Sequence, residues 1–284
     1  MATLTLDKWN LSIGDGKGLF CILGLNVLED LDLAMATATE LKAITSDLGL
    51  PFVFKASFDK ANRSSINSFR GPGLKEGLKI LAAVKDKLKV PIATDLHEPD
   101  QAEPVAAVAD LVQIPAFLVR QTDLIVAAAR ATQKHGGLLH VKKAQFLAPW
   151  DCKSILHKIE QAAGPGMTIL CERGAAFGYN NLIVDMLAIP EMKKFGVPVT
   201  IDATHAVQLP GAREVAGGGV AAGGRREGVA VIAAAAIAAG ADGVFLEFHP
   251  DPDNAKCDGP SCLPLGGARA VLTRLKALYA AAQV

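Results

Sequence analysis

The stretch PIATDLHEPDQAEPVAAVADLVQIP, residues 91–115, decides the fold. It begins and ends on short apolar β-type runs, Pro91–Asp95 and Leu111–Pro115, with a segment between them that could hold a helix. Runs this continuous read as strands covered on both faces. Strand, helix and strand in that order make a parallel βαβ unit. The pattern repeats in both directions along the chain. Further strands are expected at Phe20–Leu25, Phe52–Ala56, Leu138–Lys142, Thr168–Glu172, Pro198–Asp202 and Gly243–Phe248. Helical patterns lie between them, among them Asp30–Leu48, Gly77–Leu88, Gln121–His135 and Gly228–Ala239, and a last helix fits Gly267–Ala282. Eight strands, each followed by a helix-sized segment, favour a closed (β/α)8 TIM barrel over an open doubly wound sheet. A length of 284 residues suits one barrel domain spanning 1–284.

Two segments stand outside that period. Thr3–Leu11 partly alternates and precedes Gly14-Asp15-Gly16, which suggests a short N-terminal β-hairpin capping the barrel bottom. Leu209–Arg226 has six glycines in eighteen residues, with Arg213 and Arg225-Arg226 interspersed. It reads as a mobile loop after the seventh strand, at the catalytic face.

Composition narrows the function. Lys+Arg and Asp+Glu balance at 29 each, so neither a nucleic acid nor a membrane surface is implied as partner. The apolar run Val229–Ala239 is too short to span a bilayer, and no signal-peptide pattern opens the chain. Five cysteines at irregular spacings, with no C-x-x-C pair, suit reduced thiols in a cytoplasm. No G-x-G-x-x-G follows the first strand and no P-loop occurs, so dinucleotide and P-loop nucleotide chemistry are excluded.

The strand ends carry the chemistry. Where turn residues are expected, the chain places Asn26, Lys55, Asp95, Gln113, Lys142, Arg173, Asp202 with His205, and Glu247. In a barrel these positions converge on one mouth. Lys55, Lys60, Arg63, Lys142 and Arg173 would repel one another there unless an anion, phosphate or carboxylate, sits among them. His205, Glu247 and Asp258 are candidate ligands for a divalent metal, or separately a proton shuttle, an ion-pair partner and a turn residue.

The segment Phe54-Lys55-Ala56-Ser57-Phe58-Asp59-Lys60-Ala61-Asn62-Arg63-Ser64-Ser65 is more specific than a generic βα loop. With Arg70-Gly71-Pro72-Gly73, Gln113-Ile114-Pro115-Ala116, Glu172-Arg173-Gly174 and Lys256-Cys257-Asp258-Gly259-Pro260-Ser261, it resembles the 3-deoxy-D-manno-octulosonate 8-phosphate synthase family. Further motifs between them extend the resemblance from about Gly24 to Leu265. Members of that family condense phosphoenolpyruvate with D-arabinose 5-phosphate and water, releasing inorganic phosphate by carbon–oxygen cleavage, in Kdo and lipopolysaccharide biosynthesis.

The resemblance implies roles position by position. Lys55, Lys60, Gln113, the Ala116 backbone, Lys142 and Arg173 would hold phosphoenolpyruvate. Asn62, Arg63 and Ser64 would hold the sugar phosphate, with Arg120 reaching in from a neighbouring subunit of a homotetramer. Asn26, Asp95, His205, Glu247 and Asp258 would surround the reacting centre. Metal-dependent members carry cysteine at the first strand end and metal-independent members asparagine. Asn26 and the Cys-Asp-Gly-Pro-Ser loop therefore imply an enzyme needing no metal or other cofactor. The sister family making 3-deoxy-D-arabino-heptulosonate 7-phosphate typically carries Lys-Pro-Arg-Thr, where this chain has Lys60-Ala61-Asn62-Arg63-Ser64. Composition alone would also suit a Schiff-base aldolase using Lys142, or a non-catalytic barrel that binds an anion.

Overall fold

The computed structural model describes residues 3–214 and 220–282. Strands β1 (Thr3–Leu6) and β2 (Leu11–Gly14) form an antiparallel hairpin ahead of the barrel. Six parallel strands follow: β3 (Phe20–Val27), β4 (Phe52–Ser57), β5 (Ile92–Asp95), β6 (Leu111–Ile114), β7 (Leu138–Lys142) and β8 (Thr168–Glu172). After the two-residue strands β9 (Ala175–Ala176) and β10 (Leu182–Ile183) comes β11 (Val199–Asp202). A ribbon of β12 (Gln208–Glu214) and β13 (Val220–Gly224) precedes β14 (Gly243–His249). Strand β11 pairs with both β8 and β14, and β14 with β3, so eight parallel strands close into a ring.

All eight barrel strands are buried along their whole length, which is why they read as unbroken apolar runs rather than alternating ones. Each lies within two residues of its expected bounds. The helices pack outside. The first, Leu31–Leu48, is capped by the Asp30 carboxylate accepting from the Leu33 N–H and ends at Gly49 in the left-handed region. Thr122–His135, Val229–Ala238 and Ala268–Ala282 fall where the periodicity places them, and Leu74–Leu88 starts three residues early.

The hairpin sits at the barrel floor. Lys8 Nζ donates to the His135 carbonyl at 2.8 Å, and Asp15 meets Lys193 at 3.0 Å. His135 and Lys193 end helices that lead into strand N-termini. The hairpin's turn differs from the expected one. It is made by Asp7–Trp9, closed by Asn10 at φ 47°, while Gly14-Asp15-Gly16 only carries the chain towards β3.

The glycine-rich segment also corrects an expectation. Gln208–Glu214 and Val220–Gly224 pair as an antiparallel ribbon, with a register shift between Leu209 and Arg213. Pro210, which lacks an N–H, and Gly211, at φ 61°, lie in the bulge and explain it. Residues 215–219 of that segment lie outside the described residues.

One close approach shapes the mouth. Gly24 is in register with Lys55 on one side and Glu247 on the other. A Cβ at Gly24 would lie 1.9 Å from the Lys55 carbonyl oxygen, so only glycine fits there. Lys55 and Glu247, one strand apart on either side, meet across it.

Candidate active site

The barrel places the strand-end polar groups in one buried region, joined by Asp258 from the last loop. Lys55 Nζ contacts Glu247 Oε1 at 2.7 Å and the Asn26 carbonyl at 3.0 Å, with the Leu25 carbonyl at 3.4 Å. All three ammonium protons have acceptors. Glu247 is fully buried, which alone would raise its pKa. The charges of Lys55 and His205 outweigh that, and hold its carboxyl far below the usual carboxylate range. Asn26 Nδ2 donates to Glu247 Oε2 at 2.5 Å and to Asp258 Oδ2 at 3.3 Å.

A second group forms around Asp202. Its Oδ2 accepts from Lys142 Nζ at 2.5 Å and faces His205 Nδ1 at 2.8 Å, while Oδ1 accepts the His205 backbone N–H. The carboxylate thereby fixes the ring, and His205 Nε2 lies 3.7 Å from Glu247 and 3.9 Å from Asp258. Lys142 also sits 3.7 Å from the centre of the Phe245 ring. Asp95, buried at the end of β5, faces His97 Nε2 at 3.3 Å through Oδ2, and its Oδ1 has no partner among the described residues.

These ion pairs revise the argument from repulsion. Lys55 and Lys142 are each neutralised by a buried carboxylate, so they do not call for an external anion. Arg173 does. Arg173 is buried, donates through one Nη to Gln208 at 3.3 Å, and leaves its Nε and other Nη without partners among the described residues. Burial opposes the charge on Lys60, but Glu247 and Asp95 hold its ammonium above the ordinary lysine range. Unpartnered buried donors such as those of Arg173 are the strongest physical sign of an anion site.

Two cavities open between these groups. One is lined by Asp95, Gln113, Ala116 and Lys142, the other by Arg63, Ser64, Gln208 and Asp258, and they share Lys60, Asn62, Phe117, Arg173 and His205. Of the expected phosphoenolpyruvate and sugar-phosphate residues, Gln113, Ala116 and Lys142 fall in the first space, Arg63 and Ser64 in the second, and Lys60, Asn62 and Arg173 in both. Lys55 lines neither. Arg120 is exposed and lines neither.

Several participants carry no signal in the sequence. Gln208 anchors Arg173, and Gln145 and Ser68 line the outer cavity. Glu172 positions the Arg173 backbone by accepting its N–H and that of Gly174, beside buried Lys143 at 3.5 Å. Glu172 could have been found, since it stands inside the Glu172-Arg173-Gly174 motif beside a candidate anion ligand.

The donor set does not suit a divalent cation. Two of the three candidate carboxylate and imidazole ligands, Glu247 and Asp258, already face the N–H groups of Asn26. Both carboxylates are thereby held by an amide donor, and as they stand these residues do not fit a metal.

The family model described as the DAHP synthetase I family matches residues 2–283. A protein of Stutzerimonas stutzeri named 2-dehydro-3-deoxyphosphooctonate aldolase is 55% identical over 98% of this chain and 95% of its own length. Proteins of the same name from Shewanella amazonensis and Pseudomonas putida are 52% and 54% identical. They cover 98% and 95% of this chain, and 95% and 92% of their own lengths.

Proposed function

The chain belongs to the DAHP synthetase I family, and we infer that within it the protein acts as a 2-dehydro-3-deoxyphosphooctonate aldolase. It condenses phosphoenolpyruvate with D-arabinose 5-phosphate and water to 3-deoxy-D-manno-octulosonate 8-phosphate and inorganic phosphate. The pathway is Kdo and lipopolysaccharide biosynthesis. The family description names the sister product, a heptulosonate. The relatives at 52–55% identity and the Lys60-Ala61-Asn62-Arg63-Ser64 segment favour the octulosonate.

The observation that carries the assignment of residues is the pair of adjoining cavities with a shared wall. Lys60, Gln113, the Ala116 backbone, Lys142 and Arg173 take phosphoenolpyruvate. Lys55 supports them from below by holding Glu247. Asn62, Arg63 and Ser64 take the sugar phosphate, joined by Arg120 of a neighbouring subunit. The enol carbon attacks the sugar aldehyde, water adds to the electron-poor carbon, and the tetrahedral ester expels phosphate by carbon–oxygen cleavage. Holding both reactants in one buried mouth turns a bimolecular step into a positioned one. His205 is the group that moves the water proton, because Asp202 orients it and it lines both cavities, while Asp95, Glu247 and Asp258 set the field around it. Lys142 is held in an ion pair with Asp202, which speaks against a Schiff-base nucleophile.

Asn26 supports catalysis without a metal, through the bonds that replace one. The chain is read as one catalytic domain, 1–284, acting in the cytoplasm as a homotetramer. The exposed Phe117, Phe146, Trp150 and Phe177, on loops that follow β6, β7 and β8, support the assembly. No helix among the described residues is long and apolar enough to cross a membrane. The test is phosphate release from phosphoenolpyruvate with arabinose 5-phosphate and, separately, with erythrose 4-phosphate. Turnover with the pentose alone is expected. Turnover only with the tetrose overturns the assignment.

A further inference from the structure

Below the mouth, in the barrel interior, His140 of β7 is 1% exposed and belongs to neither cavity. Its Nδ1 faces Gln113 Oε1 on β6 at 3.2 Å, and its Nε2 faces Thr200 Oγ1 on β11 at 2.9 Å. The ring stacks on Phe245 at 6.0 Å between centres and 10° between planes, so its orientation is fixed. Burial, and then the charge of Lys142, push its pKa down to about 3. A neutral imidazole has one N–H and one lone pair.

The choice of tautomer decides what the cavity offers. With the proton on Nδ1, the ring donates to Gln113 Oε1, and the Thr200 hydroxyl gives its one proton to Nε2 at 2.9 Å rather than to the Leu170 carbonyl at 3.3 Å. Both N–H groups of the Gln113 amide are then left for the cavity it lines. With the proton on Nε2, a lone pair would oppose Gln113 Oε1, and the amide would turn its oxygen towards the anion. We propose that His140 is a positioning residue, which uses Thr200 and Nδ1–H to keep the donor face of Gln113 turned to phosphoenolpyruvate. This rests on the reading of that cavity as the phosphoenolpyruvate site.

The test is a double-mutant cycle on steady-state KM, in the full-length enzyme, with His140→Gln, His140→Asn and Gln113→Ala. Asparagine places an N–H near the position of Nδ1, and glutamine near Nε2. His140→Gln should raise KM for phosphoenolpyruvate about ten-fold, with that for arabinose 5-phosphate changed by less than about two-fold. His140→Asn should restore most of the loss, and His140→Gln should add nothing once Gln113 is alanine. Equal losses for both substrates, or an undiminished loss in the Gln113→Ala background, overturn the proposal. Thr200→Val, which keeps the side-chain shape and removes the hydroxyl, serves if the His140 variants do not fold. It should raise the same KM selectively, and an unchanged KM there counts against the relay. An unchanged phosphoenolpyruvate KM in Gln113→Ala overturns the site reading along with the inference. A large one there with silent His140 variants overturns the inference alone.

Discussion

The Asn26 amide nitrogen lies 2.5 Å from Glu247 Oε2, with Asp258 Oδ2 at 3.3 Å on the same nitrogen. One neutral side chain therefore separates two carboxylates that would otherwise repel.

Activity should survive treatment of the pure enzyme with a strong chelator, measured as phosphate release. Complete loss restored by a divalent metal would sink the metal-free reading. Asn26→Asp should cut kcat at least ~100-fold, since it replaces a donor to two carboxylates by a third negative charge.

The Asp202→Asn enzyme should keep its fold and lose about 10²–10⁴-fold in kcat. Asparagine can present its N–H to His205 Nδ1, which selects the other tautomer, and it leaves Lys142 without its counter-charge. A kcat near that of the parent enzyme would remove His205 from proton transfer.

Glu247→Gln should be among the most damaging changes to stability, at about 3–5 kcal/mol, because it leaves the buried Lys55 ammonium uncompensated. Denaturant unfolding of the two proteins measures it. The same pair bears on acid stability. Burial alone would raise the carboxyls of Asp95, Asp202 and Glu247, but their cationic and histidine neighbours lower all three. Their contribution is full above the unfolded-state pKa, about 4, and is lost as pH falls through the lower folded values. Glu172 and Asp242, both raised by burial, work in the opposite direction, two groups against three. His140, kept neutral by burial, adds a loss that begins below about pH 6.5, where the unfolded chain takes up a proton that the folded one does not. The urea midpoint should therefore decline gently from about pH 6.5 and steeply below about pH 4.

Arg173→Ala should raise KM for phosphoenolpyruvate by ~100-fold or more, since two buried guanidinium donors have no other partner among the described residues. Arg120→Ala should weaken arabinose 5-phosphate far more than phosphoenolpyruvate. Equal weakening of both would undo the shared-subunit site.

Much of the barrel and its mouth was legible in the sequence, for physical reasons. Strands buried on both faces leave unbroken apolar runs, so Thr168–Glu172 and Leu138–Lys142 could be bounded to the residue. Charge at a strand end is conspicuous against such runs. His140 and Thr200 were not conspicuous, because a polar residue inside a strand resembles a tolerated exception until its neighbours across the barrel are known. Lys55 and Glu247 could be named, but not paired: their contact depends on a glycine between them in the sheet, 192 residues from one end of the pair to the other. The ribbon after β11 was hidden by its glycines, whose freedom is compatible with a loop or a bulged hairpin alike.

The shared wall of the two cavities has a consequence for inhibitor design. A single molecule carrying an anionic group at each end, with a spacer that follows the line from Arg173 to Arg63, would occupy both spaces at once. Its second end would bind at the high effective concentration set by the first, without a second loss of translational freedom. Neither half alone would inherit that advantage. Potency should therefore depend on spacer length far more steeply than on the chemistry of either end.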